Sequence, residues 1–205
     1  VEPDRAQAFE RLGGCAAATP AEAARGTQVL FTCLMRASIV REVLLGPGGA
    51  SEHLSPGATV VDLSTVLPEE CEALAADLAA RGVAFLEAPV AGSSAEVRAR
   101  QAVALAGGAA AVLERLRPLL GRLFREVHHL GPHGAGARAK LVVNLVLGLN
   151  RAALAEGLVF ARAQGLDLAR TLDLLRATPA YARVMDAKGP KMAGGDFTPQ
   201  AKLAQ

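Results

Sequence analysis

The chain has 205 residues, of which 51% are hydrophobic and 20% charged, with 22 basic against 20 acidic side chains for a formal charge of +2. That apolar fraction excludes a disordered chain, and the length suits about one to one and a half domains with a buried core. Interspersed charges without a block of like sign exclude a nucleic-acid arm, and one Tyr, six Phe and no Trp leave few platforms for stacking bases or sugars.

Pro3 to Leu12 followed by Gly13-Gly14 reads as a short helix with proline in its first turn and glycine at its end. Cys15 to Ala18 reads as a short strand, and Thr19-Pro20 opens a second helix with Thr as cap and Pro at the first helical position. Thr27 to Leu34 is rich in strand formers, and Ala37 to Leu45 has helical spacing that Gly46-Pro47-Gly48-Gly49 ends. Thr59 to Leu63 is a buried strand, Pro68 to Arg81 an amphipathic helix, and Val83 to Leu86 the next strand. Gln101 to Ala106, a helix over Ala109 to Leu123, and Arg125 to His129 complete this half. Alternation of short apolar runs with helices predicts βαβ units around a largely parallel sheet, an α/β fold class.

The pattern changes near Pro132. From Gly134 about thirty residues without proline, apolar on most faces, predict one long and mostly buried helix ending at Gln164-Gly165. Its longest apolar run, Leu141 to Leu149, is interrupted by Asn144 and falls short of the ~20 residues that span a bilayer, so no membrane segment is expected. Leu168 to Ala177 and Ala180 to Lys188 are further helical segments, with Gly189-Pro190 and Gly194-Gly195 as breakers. Cys15, Cys33 and Cys71 are odd in number and far apart, which fits a reduced, cytoplasmic setting.

Three constellations carry chemistry. Ser64 and Thr65 follow the carboxyl end of a predicted parallel strand, where open α/β sheets bind ligands; in the competing reading Thr65 caps the helix that begins at Pro68. Gly92 and Ser93 lie in a second polar loop at the same sheet edge, where backbone N–H groups and a hydroxyl suit a carboxylate, or where a solvated turn suffices. Lys140 and Asn144 are four apart on one helix face among Leu141, Val142, Val143 and Leu145. A lysine in apolar surroundings has a lowered pKa suited to proton transfer, against the alternative of a lysine snorkelling at a helix start. His128, His129 and His133 cluster, but no carboxylate completes a zinc spacing, and no metal site is expected.

Together these motifs resemble the β-hydroxyacid dehydrogenase family, which includes 3-hydroxyisobutyrate dehydrogenase and has the 6-phosphogluconate dehydrogenases as relatives. The resemblance is carried by Asp62-Leu-Ser-Thr-Val-Leu-Pro68, Phe85-Leu-Glu-Ala-Pro-Val-Ala-Gly92, Gly134-Ala-Gly-Ala-Arg-Ala-Lys140-Leu-Val-Val-Asn144, Gly165-Leu166-Asp167 and Gly189-Pro190. It implies a Rossmann-like, NAD(P)-binding domain over residues 1–132, incomplete at its N-terminus, and an all-α domain over 133–205 that begins with the interdomain helix. The family's glycine-rich phosphate turn would precede Val1, and its later Lys-Asp motif would follow Gln205. The resemblance further implies Lys140 as general acid/base and Asn144 as the group that positions the substrate. Ala91, Gly92 and Ser93 would bind the substrate carboxylate, Leu34 and Met35 would lie along the cofactor, and Ser64 and Thr65 would lie by its nicotinamide end.

Two departures stand out. Ala91 replaces a serine usual in such enzymes, and Arg100 replaces a glycine before the following strand. The expected function is hydride transfer between a nicotinamide cofactor and a small β-hydroxy acid or its semialdehyde or keto acid. The alternative is a dehydrogenase-like binding or scaffold module without turnover. Aligning Pro3 with the proline of an Asn-Arg-Thr-Pro pattern found in NADP-preferring relatives puts Val1, with Glu2 beside it, where an Arg would pair with the 2′-phosphate. Arg5, a turn further on, is a partial substitute, so NAD is expected over NADP with NADP as the alternative. A long apolar helix is compatible with a homodimer across the helical half, with a monomer as the alternative.

Overall fold

The computed structural model describes residues 3–199. The chain packs as two compact units, Val1–Lys140 and Leu141–Gln205.

In the first unit α1 (Pro3–Arg11) and α2 (Pro20–Ala24) precede β1 (Val29–Thr32), α3 (Ala37–Leu45), β2 (Thr59–Asp62), α4 (Pro68–Ala79), β3 (Ala84–Glu87), β4 (Val90–Ala91), α5 (Ser94–Arg98), β5 (Val103–Ala106), α6 (Ala110–Leu120) and β6 (Glu126–His129). Strands β1, β2 and β3 pair in parallel in that order. The short runs of β-branched and apolar residues thus form a doubly covered sheet: Val60 and Phe85 face the cluster built by Val40, Leu44, Leu74 and Leu78 of α3 and α4. Val61 and Leu86 face Leu113, Leu116 and Leu120 of α6 on the other side. Period-two alternation along a strand covered on both faces produces this split. The fold is the α/β, Rossmann-like class that the alternation implied.

Four expectations about elements are corrected. Residues 15–18 form no strand, because none of their backbone groups enters a ladder among the described residues; instead the Ala18 N–H donates to the Glu22 carboxylate beside the Thr19 cap. The strands pair largely in parallel, as the alternation implied, with one antiparallel pair. Val90 and Ala91, expected in a loop, form β4, antiparallel to β5, which runs parallel to β6. Glu87 and Gly107 exchange both backbone hydrogen bonds, at 3.1 and 3.0 Å, and bridge the two three-stranded sheets.

The third correction concerns the long helix, α7 (Ala135–Ala163), which is continuous across the unit boundary. Its apolar residues are largely unburied: Val142, Leu145, Val146 and Leu149 are 61, 64, 52 and 61% exposed. Across its most apolar 18-residue window the mean hydropathy is 1.4 and 11% is buried, so by length and composition the helix is long and apolar enough to cross a membrane.

In the second unit the carboxyl-terminal part of α7 packs Leu154 and Leu158 against Leu172 of α8 (Leu168–Arg176) and Met185 of α9 (Val184–Ala193). Here α9 begins later than the spacing implied and runs through Gly189-Pro190, which had the look of a breaker. Close packing explains the difference: a β-carbon on Gly189 would lie 2.5 Å from Leu172 Cδ1, so contact with α8 holds a turn that the proline alone would loosen.

Candidate functional site

Because β1, β2 and β3 are parallel and in register, Thr32 pairs with Asp62 and Asp62 with Glu87 at their carboxyl ends. These three polar side chains, each at most 5% exposed, form a buried rung where apolar strand residues stop. Beyond it the chain leaves the sheet in three loops, at the edge where α/β folds place their ligands.

The first two loops are tied together. Thr32 Oγ1 and Ser64 Oγ donate to Asp62 Oδ1 at 2.8 and 2.6 Å, and Ser64 N donates to the same oxygen at 3.1 Å. Leu34 N in turn donates to Ser64 Oγ at 2.9 Å. Burial raises the Asp62 carboxyl pKa, and the hydrogen bonds from Ser64 and Thr32 oppose that shift. The Ser64 hydroxyl is thus occupied in joining the loops. Thr65 is exposed and does not cap the helix: α4 is capped at Leu67, whose N–H donates to the Glu70 carboxylate at 2.9 Å. Met35 is 52% exposed, while Leu34 packs against the α3/α4 core. Met35 and Thr65 are thus exposed beyond the carboxyl ends of β1 and β2.

The third loop carries the anion-suited residues. A β-carbon on Gly92 would stand 2.8 Å from that of Ala102, so β4 and its neighbour approach too closely for a larger residue. Ser93 caps α5, its N–H and Oγ donating to Glu96 Oε2 at 2.7 and 2.9 Å while Glu96 N returns a bond to Ser93 Oγ. Ala91 contributes strand backbone and no hydroxyl.

Lys140 is brought to this third loop. It lies in the second turn of α7, and its Nζ donates to Val90 O at 2.7 Å. The side chain is half-buried, and that burial lowers its pKa below the usual lysine range. Asn144 is one helical turn further along α7, exposed, in the second unit. Two groupings result among the described residues: Leu34 with Ser64, and Lys140 with the β4 strand of Val90 and Ala91.

Two residues went unassigned at the level of sequence, Asp62 and Glu87, which are buried and tie loops or helices to the sheet edge. Each is an acidic residue ending an apolar strand, in Val60-Val61-Asp62 and Phe85-Leu86-Glu87. A charge at the end of a buried run is the signal that marks them.

Residues 1–131 match the family model of the NAD binding domain of 6-phosphogluconate dehydrogenase, and residues 134–205 that of the NAD-binding region of NADP-dependent 3-hydroxyisobutyrate dehydrogenase. The chain is 34% identical over 175 residues to 2-(hydroxymethyl)glutarate dehydrogenase of Eubacterium barkeri, covering 85% of this chain and 58% of that protein. It is 31% identical over 200 residues to a cytokine-like nuclear factor N-PAC of Xenopus tropicalis, covering 98% of this chain and 38% of that one. A crystal structure of 3-hydroxyisobutyrate dehydrogenase from Salmonella typhimurium superposes with a TM-score of 0.89 at 27% identity, over 98% of this chain and 70% of that one. The chain spans 58 to 67% of the length of the first curated relatives it matches.

Proposed function

Since the chain belongs to the β-hydroxyacid dehydrogenase family, we propose that it serves hydride transfer between a nicotinamide cofactor and a small β-hydroxy acid or the corresponding semialdehyde or keto acid. The observation that carries the proposal is the half-buried Lys140 ammonium held 2.7 Å from Val90 O at the head of the Ala91-Gly92-Ser93 segment. A proton donor of lowered pKa stands there beside a loop suited to a carboxylate.

The cofactor supplies the hydride when bound; this chain's residues do the rest. Lys140 Nζ gives its proton to the carbonyl oxygen during reduction and takes one from the hydroxyl during oxidation. Val90 O fixes one N–H of the ammonium and leaves two to point at substrate. Asn144, one turn on, positions the substrate oxygen. Gly92 and Ser93 present backbone N–H groups to the carboxylate, although Glu96 must yield the Ser93 N–H for that bond to form. Thr65 places its hydroxyl by the nicotinamide end, Leu34 and Met35 line the cofactor, and Ser64 keeps their two loops in register.

NAD is the proposed preference. The residues that bear on it, Val1 and Glu2, lie outside the described residues, and the proposal stands on their chemistry: neither pairs with a 2′-phosphate. The proposed setting is cytoplasmic, supported by three free cysteines, two of them exposed; the proposed assembly is a homodimer. A second reading, a binding module without turnover, is favoured by Ala91, which lacks the hydroxyl usual at that position.

The test is oxidation of NADH and NADPH, followed by absorbance, with a panel of small semialdehydes and keto acids. Turnover with NADH ahead of NADPH is expected. Cofactor binding without turnover on any member would favour the second reading, and a clear NADPH preference would overturn the cofactor assignment.

A further inference from the structure

The first turn of α7 is held from below by a residue to which the proposed chemistry gives no role. Glu87 is 1% exposed. Its Oε1 accepts the Gly136 N–H at 2.8 Å, and its Oε2 is buried without a partner among the described residues. Gly136 is the second residue of α7, so its N–H is one of the four that a helix leaves without an intrahelical acceptor. A carboxylate at that end also meets the positive pole of the helix.

The surroundings leave no slack. A β-carbon on Gly136 would collide with Leu105 O, and one on Gly107 would collide with the Glu87 carboxylate. The buried Cys71 thiol interacts with the same carboxylate, its pKa pushed up by burial first and by Glu87 second. Gly136 precedes Lys140 by four residues, so the two stand one above the other on one helix face. Three residues after Glu87, Val90 O receives Lys140 Nζ. The segment from β3 to β4 therefore grips the helix at both ends of a single turn, with a side chain below and a backbone carbonyl above.

We propose that Glu87 is a positioning residue for the reaction, its carboxylate locking the Gly136 N–H so that the first turn of α7 delivers Lys140 to a fixed place beside β4. The proposal rests on the dehydrogenase reading, and acts through the helix rather than on substrate.

Amide hydrogen exchange on the unaltered chain is the first test, independent of catalysis. The Gly136 amide should exchange as slowly as amides in the middle of α7, although free first-turn amides exchange fast. A fast Gly136 amide overturns the lock. The second test uses two variants. Glu87→Gln keeps an oxygen acceptor in place, whereas Glu87→Asp keeps a carboxyl group and withdraws it by one methylene. Glu87→Asp should speed exchange at Gly136 and lower kcat by about 10-fold or more, the scale of a small misplacement of a catalytic group, while the cofactor KM stays put. Glu87→Gln should restore both. Faster exchange in Glu87→Asp with kcat unchanged overturns the positioning role, as does failure of Glu87→Gln to restore kcat. An unaltered chain without turnover on any substrate overturns the dehydrogenase reading and the positioning role with it. Turnover accompanied by a fast Gly136 amide overturns the lock alone.

Discussion

Lys140 illustrates how much a single position owes to its surroundings. An amine whose pKa burial has lowered loses its proton sooner than a free lysine as pH rises. Reductive turnover should therefore fall with rising pH through an apparent pKa below the usual 10.5 of lysine, while the oxidative direction gains over the same window. Lys140→Ala should lower kcat by about 10²-fold or more with the fold intact, and near-normal turnover would contradict the acid/base assignment. At Arg100 the backbone tells a different story. Its φ of 56° lies in the left-handed region, which costs a side-chain-bearing residue about 1 kcal/mol or more. The family resemblance implied a glycine where Arg100 stands, and the dihedral gives a physical reason for one. Arg100→Gly should stabilise the chain by up to about 1 kcal/mol, a rise of a few degrees in Tm, and a fall in Tm would refute the strain.

Elements were legible where local chemistry decides. Thr19-Pro20 and the run Ala37 to Leu45 form their helices as spaced, and Val60, Val61, Phe85 and Leu86 form the strands that the apolar runs implied. What escaped was set by partners distant in sequence. Two residues, Val90-Ala91, become a strand because β5 lies alongside, and α9 passes through Pro190 because Leu172 presses on Gly189. Ser64 and Ser93 were legible as hydroxyls at the right edge, but not as hydroxyls already bonded to Asp62 and Glu96. The glycines of α7 make the same contrast testable within one helix. Gly148 has nothing within 4 Å of an added β-carbon, so Gly148→Ala should stabilise by about 1 kcal/mol through helix propensity. Gly136→Ala puts the same methyl against Leu105 O and should destabilise by about 1–3 kcal/mol despite the better propensity. Thermal melts of the two variants should move in opposite directions.

For the molecule as a whole, the exposed stripe of Val142, Leu145, Val146 and Leu149 on α7 is the main departure from the expectation of a buried helix. Periodicity shows which residues share a face, but not whether that face finds a cover. A stripe of this kind on a monomer is a surface for association, and the proposed homodimer is its natural occupant. Sedimentation should show mass rising with concentration, and Leu145→Glu with Leu149→Glu should hold the chain monomeric. A concentration-independent monomer in the unaltered chain would rule the homodimer out.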